Sequence, residues 1–137
     1  MTGAKVELLR KLNDALWRDR DLGAALELVD PDADLDWSDS RAPYGGRFKG
    51  HDGLRHFFQM FIDAWDEWYP EFEEVIDVGP ETILIVTRVR ARGKGSGVPV
   101  EARGASIWSV RDGKVVSAKL FQSKAEALAA LGVSEPR

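Results

Sequence analysis

Cysteine is absent from the 137 residues, and histidine occurs only twice. Without thiols there is no disulfide framework, no thiolate nucleophile and no Cys-ligated metal. Of the two imidazoles, His51 falls in the first turn of a helical segment and His56 beside its apolar stripe. Position 60, four residues after His56, is Met, so the helical spacing of metal ligands is missing. No metal and no other cofactor is expected. An excess of positive charge is missing too. The net charge is -4 and the Lys and Arg are scattered among acids, which argues against nucleic acid and against an anionic membrane surface as partners. No apolar run approaches a membrane span, and the N-terminal MTGAKVELLRKLNDALW has no uninterrupted apolar core of the signal-peptide kind, so a cytoplasmic protein is expected. Internal repeats and low-complexity segments are also lacking.

What is present is a chain 44% apolar and 31% charged, sufficient for one domain over 1–137 with a workable core. Its organising stretch is residues 50–68, GHDGLRHFFQMFIDAWDEW. Leu54, Phe57, Phe58, Phe61, Ile62 and Trp65 recur at steps of three and four, placing six large apolar side chains on one stripe of a helix. Four of the six are aromatic, enough to wall a pocket as well as fill a core. Residues 4–19 form another helix with Leu9, Leu12, Leu16 and Trp17 on its apolar stripe. Asn13 sits on or beside that stripe, either bonded to a backbone group at the core edge or pointing into a cavity.

Asp21 caps a short helix over 22–29 that stops at Asp30-Pro31. Residues 33–38, ADLDWS, alternate as a strand, with Leu35 and Trp37 on one face and Asp34, Asp36 and Ser38 on the other. Residues 39–49, DSRAPYGGRFK, are a Pro- and Gly-containing loop bordering whatever space the strand and the aromatic helix enclose, with Asp39, Arg41 and Tyr44 as its polar or aromatic members. From position 71 the pattern turns to β. Strands are expected over 72–78, 82–92, 98–110 and 114–122, the second strongly β-branched. In the second, Ile83, Ile85, Thr87, Val89 and Ala91 share a face, and Arg88, Arg90 and Arg92 lie on the other, able to pair with Glu101 across the hairpin. GKGSG at 93–97 lacks the spacing and following helix of a phosphate loop and is a hairpin turn. In the third strand Val98, Val100, Ala102, Gly104, Ser106 and Trp108 face one way, and Gly104 in mid-strand suggests a bend or bulge. Ser123 with Glu126 begins a terminal helix that ends at Gly132.

The order helix, helix, strand, helix, four antiparallel strands, short helix is an α+β arrangement. Together with PYGGRFKGHDGLRHFF and VRDGKVVSAKLFQSKAEALAALG, it resembles the SnoaL-like branch of the nuclear-transport-factor-2-like superfamily, over nearly the whole chain. The resemblance implies a cone in which a bent mixed sheet wraps three N-terminal helices, a deep apolar interior, and a homodimer through the sheet face. It does not by itself imply a reaction, because members include ketosteroid isomerase, polyketide cyclases and catalytically silent binding domains. Aligned with the isomerase, Trp37 takes the place of the strand base, with Asp36 one step away on the opposite face. Asn13 falls near the oxyanion-donor tyrosine and Ser106 near the protonated aspartate. Leu120 falls near the cyclases' acid.

Three readings follow. In the first, a small hydrophobic metabolite, polycyclic ones included, binds among Asn13, Trp17, Trp37, Tyr44, Phe57, Phe58, Phe61, Trp65, Ser106 and Trp108, without the isomerase's acids. In the second, an isomerase, cyclase or hydratase uses Asp36, Asp39 or His56 in the same pocket. In the third, the chain is an assembly module whose partner surface is the face of Arg88, Arg90, Arg92 and Arg103.

Overall fold

The computed structural model describes residues 2–38 and 46–132; Asp39, Arg41 and Tyr44 lie outside the described residues. Helix α1 (Thr2–Asn13) passes into one wider, π-helical turn at Asp14–Arg18, and α2 (Leu22–Glu27) follows. Asp21 caps α2 by accepting a hydrogen bond from the Ala24 amide at 3.1 Å. Then come β1 (Val29–Asp36), β2 (Arg47–Lys49), α3 (Gly50–Ala64), β3 (Trp65–Asp77), β4 (Thr82–Gly93), β5 (Pro99–Arg111), β6 (Lys114–Phe121) and α4 (Lys124–Leu131). The six strands form one sheet in the order β2-β1-β6-β5-β4-β3, with β1 and β6 parallel and every other neighbouring pair antiparallel. This is the α+β cone with a bent mixed sheet that the resemblance implies.

One face of the sheet closes on α1 and α3. Leu54, Val29, Ile83, Ile85 and Val115 are almost wholly buried there, each worth roughly 1.5–3 kcal/mol relative to exposure. The opposite face carries a second, smaller cluster, where Ala127 and Leu128 of α4 cover Leu84, Ala105 and Phe121. Ser123 caps α4 through the Glu126 amide at 3.2 Å, and Gly132 ends it in the left-handed conformation with φ 71°. Asp112 and Gly113 both take positive φ in the β5–β6 turn, as the tightest hairpins require. Lys5 is nearly buried: its ammonium donates to the Asp77 carboxylate at 2.7 Å and to the Gly79 carbonyl, pinning α1 across the β3–β4 turn.

The structure corrects several expected boundaries. The aromatic helix ends at Ala64, not at position 68. Trp65 is already extended, with φ -130° and ψ 132°, and opens a strand that pairs with β4 from Trp65 opposite Gly93 to Asp77 opposite Ile83. Pro70 favours this outcome, because the residue before a proline is pushed out of the helical region, and on an edge strand its missing N–H is tolerated. Strand β1 starts at Val29 and runs through Pro31, with irregular pairing to β6 between Val29 and Asp34. A three-residue strand, β2, closes the segment expected as loop. Gly104 makes no bulge, since the β4–β5 register continues straight through Thr87 opposite Gly104. Of the three β4 arginines only Arg88 bonds Glu101, at 2.9 Å. Arg90 pairs with Glu71 and Arg92 with Glu67 on β3.

Candidate ligand cavity

A cavity of about 350 Å³ lies between the helices and the concave face of the sheet. Its walls follow from side-chain direction. Leu9, Leu12 and Leu16 of the first helix, with Leu54, Phe57 and Phe61 of α3, supply the helical side. The sheet supplies rows set by strand register. Trp68, Ala91 and Val100 are neighbours across β3, β4 and β5; so are Pro70, Val89 and Ala102, and Phe72, Thr87 and Gly104. In these three rows the β4 and β5 side chains are small, and the space lies above them. The next rows are larger: Val75, Ile85, Ser106 and Leu120, then Ile83 and Trp108, and they close the inner end.

The rings form a connected wall. Trp17, carried by the π-helical turn, contacts Phe57, Phe61 and Trp68 at centroid separations of 6.1, 5.3 and 6.4 Å. Trp37 stands edge-on to Phe57 at 5.4 Å and to Trp108 at 6.1 Å. Such pairs hold their rings at fixed angles, so the lining is positioned before any ligand arrives. Two neutral polar side chains are buried in it. Asn13 donates its amide to the Pro70 carbonyl at 2.9 Å, combining both alternatives that its sequence position left open: backbone-bonded and cavity-lining. Ser106 accepts the Trp108 indole N–H at 2.7 Å. Behind Asn13, the Tyr69 hydroxyl donates to Asp14 at 2.9 Å; burial, and then the Asp14 carboxylate, push the phenol pKa up.

The sequence-derived candidates divide sharply. Asn13, Trp17, Trp37, Phe57, Phe61, Trp65, Ser106 and Trp108 all line the cavity. Phe58 does not; it is buried behind Trp17, stacked on it at 6.3 Å. The four positions compared with the isomerase and cyclase acids, Asn13, Trp37, Ser106 and Leu120, all reach the cavity, and all four are neutral. Among the described residues no Asp, Glu, His or Lys lines it; the charged side chain that borders it is Arg103, which is paired with Glu73 at 3.3 Å.

Asp36 and His56, expected as candidate catalytic groups, are placed elsewhere. Asp36 is one step from Trp37 on β1 and so faces the convex side. It accepts from the Ser38 hydroxyl, the Ser38 amide at 3.0 Å and the Lys119 ammonium at 3.3 Å. These bonds, the Ser38 hydroxyl first, hold its carboxyl below the usual carboxylate range. His56 is one residue from Phe57, about 100° around the helix, and its exposed ring lies beside Phe48 at 5.9 Å. Asp39 and Tyr44 fall outside the described residues. Among those described, no group of three or more His, Cys, Asp and Glu is clustered to hold a metal ion, and no helix is long and apolar enough to cross a membrane.

Several lining residues escaped the sequence reading, among them Trp68, Thr87, Val89, Ala102 and Gln122. Trp68 ends the stretch read as helical, and the face it takes is set only by its pairing with Ala91. The small residues carry no signal of their own; only the cross-strand register brings them together.

The likeness to solved structures extends over most of the chain. A nuclear-transport-factor-2-like protein of unknown function from Burkholderia pseudomallei is 23% identical with a TM-score of 0.75, over 92% of this chain and 95% of that one. A Mycobacterium tuberculosis protein in complex with estradiol-17β-hemisuccinate is 19% identical with a TM-score of 0.74, over 88% and 95%. TerC, co-crystallised with polyporic acid, is 18% identical with a TM-score of 0.74, over 94% and 98%. At these identities the likeness establishes the nuclear-transport-factor-2-like fold. No curated relative matches the sequence. The model of the SnoaL-like domain matches residues 9–118, and the chain belongs to that family.

Proposed function

We propose that this SnoaL-like chain binds a small hydrophobic metabolite, polycyclic ones included, and holds it without acid–base catalysis by a carboxyl group. The observation that carries this reading is the lining itself: indole and phenyl rings around about 350 Å³, with no Asp, Glu or His among the described residues that border it. Proton transfer next to a carbonyl needs a base within hydrogen-bond reach, and neither the Trp37 indole nor the amide and hydroxyl of Asn13 and Ser106 is one. A flat apolar molecule gains ring contacts on both sides, and Asn13 and Ser106 can orient a polar substituent. Relatives of the same fold crystallised with estradiol-17β-hemisuccinate and with polyporic acid support a ligand of this type. The homodimer through the sheet face is part of the same reading, and light scattering tests it.

The test is a titration of intrinsic tryptophan fluorescence with a steroid, an aromatic polyketide and a fatty acid. With Trp17, Trp37 and Trp108 in the wall, a bound ligand gives a saturable quench or shift. The absence of any change with all three overturns the reading.

A further inference from the structure

The cavity does not stop where the helices stop covering it. On β5 the residues of one parity, Trp108, Ser106, Gly104, Ala102 and Val100, line the cavity in succession, and Val98 continues that parity just before the strand begins. Val98 is 56% exposed and Val100 43%, and they are the large hydrophobic side chains left exposed among the described residues. Isolated exposed valines need no explanation. These two are not isolated, because they extend the apolar wall of an internal cavity outward along one strand, ending at the glycine-containing turn after β4.

Resting on the binding reading above, we propose that the ligand is elongated: a ring system inside the chamber, with an aliphatic extension leaving it along the Val100–Val98 shelf. Eight residues separate Ser106 from Val98, about 26 Å of strand at about 3.3 Å per residue, and the helices cover only the inner part of that track. The shelf offers cover on one side only. An extension lying on it therefore gains less than full burial, about twofold in affinity per methylene against about fourfold for complete burial. Because its other side is open to solvent, the shelf sets no fixed length.

The experiment is a homologous series of phenyl n-alkyl ketones, from ethyl to decyl, titrated into the full chain by tryptophan fluorescence and calorimetry. It is repeated with Val98→Asn, whose exposed site tolerates the change and whose fold is checked by circular dichroism. The proposal expects affinity to keep rising about twofold per methylene through the longer members. In Val98→Asn that rise flattens for the long members, while the ethyl ketone binds as in the parent. An affinity that levels off at a chain length common to both proteins overturns the shelf and leaves the cavity reading standing. Failure of every member to bind overturns both. Sedimentation of the two proteins without ligand adds a third arm: a dimer of the parent that Val98→Asn splits means that a second copy covers the valines, which also overturns the proposal.

Discussion

Trp108 donates its indole N–H to the hydroxyl of Ser106, two residues earlier on the same face of β5, at 2.7 Å. The pair satisfies the polar atom of a ring that closes the inner end of the cavity, leaving its apolar faces to Trp37 and the interior. Replacing Ser106 by Ala strands that N–H in an apolar site, where an unsatisfied donor costs roughly 1–3 kcal/mol. Ser106→Ala is expected to lose about 1–2 kcal/mol in urea unfolding and to shift the tryptophan emission, whereas Ser106→Thr keeps the acceptor and most of the stability.

The volume of the cavity rests on Ala91, Val89, Ala102 and Gly104 being small. Ala102→Phe puts a ring above that floor at an exposed position, so the fold has no reason to suffer. The expected outcome is a loss of ligand affinity of tenfold or more with a melting temperature within a few degrees of the parent. Paired titration and thermal scans check it.

Asn13 joins α1 to the edge strand through the Pro70 carbonyl. Asn13→Leu keeps the size but removes the donor, leaving a buried carbonyl to find water. A loss of about 1–2 kcal/mol is expected, with faster amide exchange in β3 around Tyr69 than elsewhere in the sheet. Uniform exchange across the sheet would contradict this local role.

Two carboxylates outside the cavity contribute to acid stability: Asp36 on the convex face, and Asp77 at the end of β3 beside Lys5 of α1. Asp36 is held low, first by Ser38 and then by Lys119, and Asp77 is held low by Lys5. A carboxyl whose folded pKa is depressed contributes stability above its unfolded value, near about 3.9, and that contribution is lost as pH falls through the folded value. Stability is therefore expected to be flat from neutral pH down to about pH 5 and to fall below about pH 4. Ser38→Ala should move the Asp36 carboxyl titration upward by NMR. Asp36→Asn and His56→Ala should leave ligand affinity within about twofold, since neither side chain borders the cavity.

The sequence exposes periodicity well and pairing poorly. The stripe from Leu54 to Phe61 and the opposite faces of Asp36 and Trp37 follow from periods of 3.6 and 2, which are local. The end of α3 does not, because Trp65 and Trp68 continue the helical spacing from Phe61. What makes them strand is pairing with Gly93 and Ala91, more than twenty residues away. The cavity divides in the same way. Its rings were legible because large aromatics announce themselves, but its empty space depends on Ala91 facing Val100 and Thr87 facing Gly104. Gly104, expected to mark a bend or bulge, makes no bulge and helps to leave room.

The most direct measurement is a crystal structure of the protein pressurised with xenon, which enters apolar cavities that proteins leave unfilled. Xenon density is expected above the small residues Thr87, Val89 and Gly104, beneath the rings of Phe57 and Phe61, with no carboxylate within reach of it. An interior filled by side chains with no density above those residues, or a buried aspartate turned into the space, would contradict it.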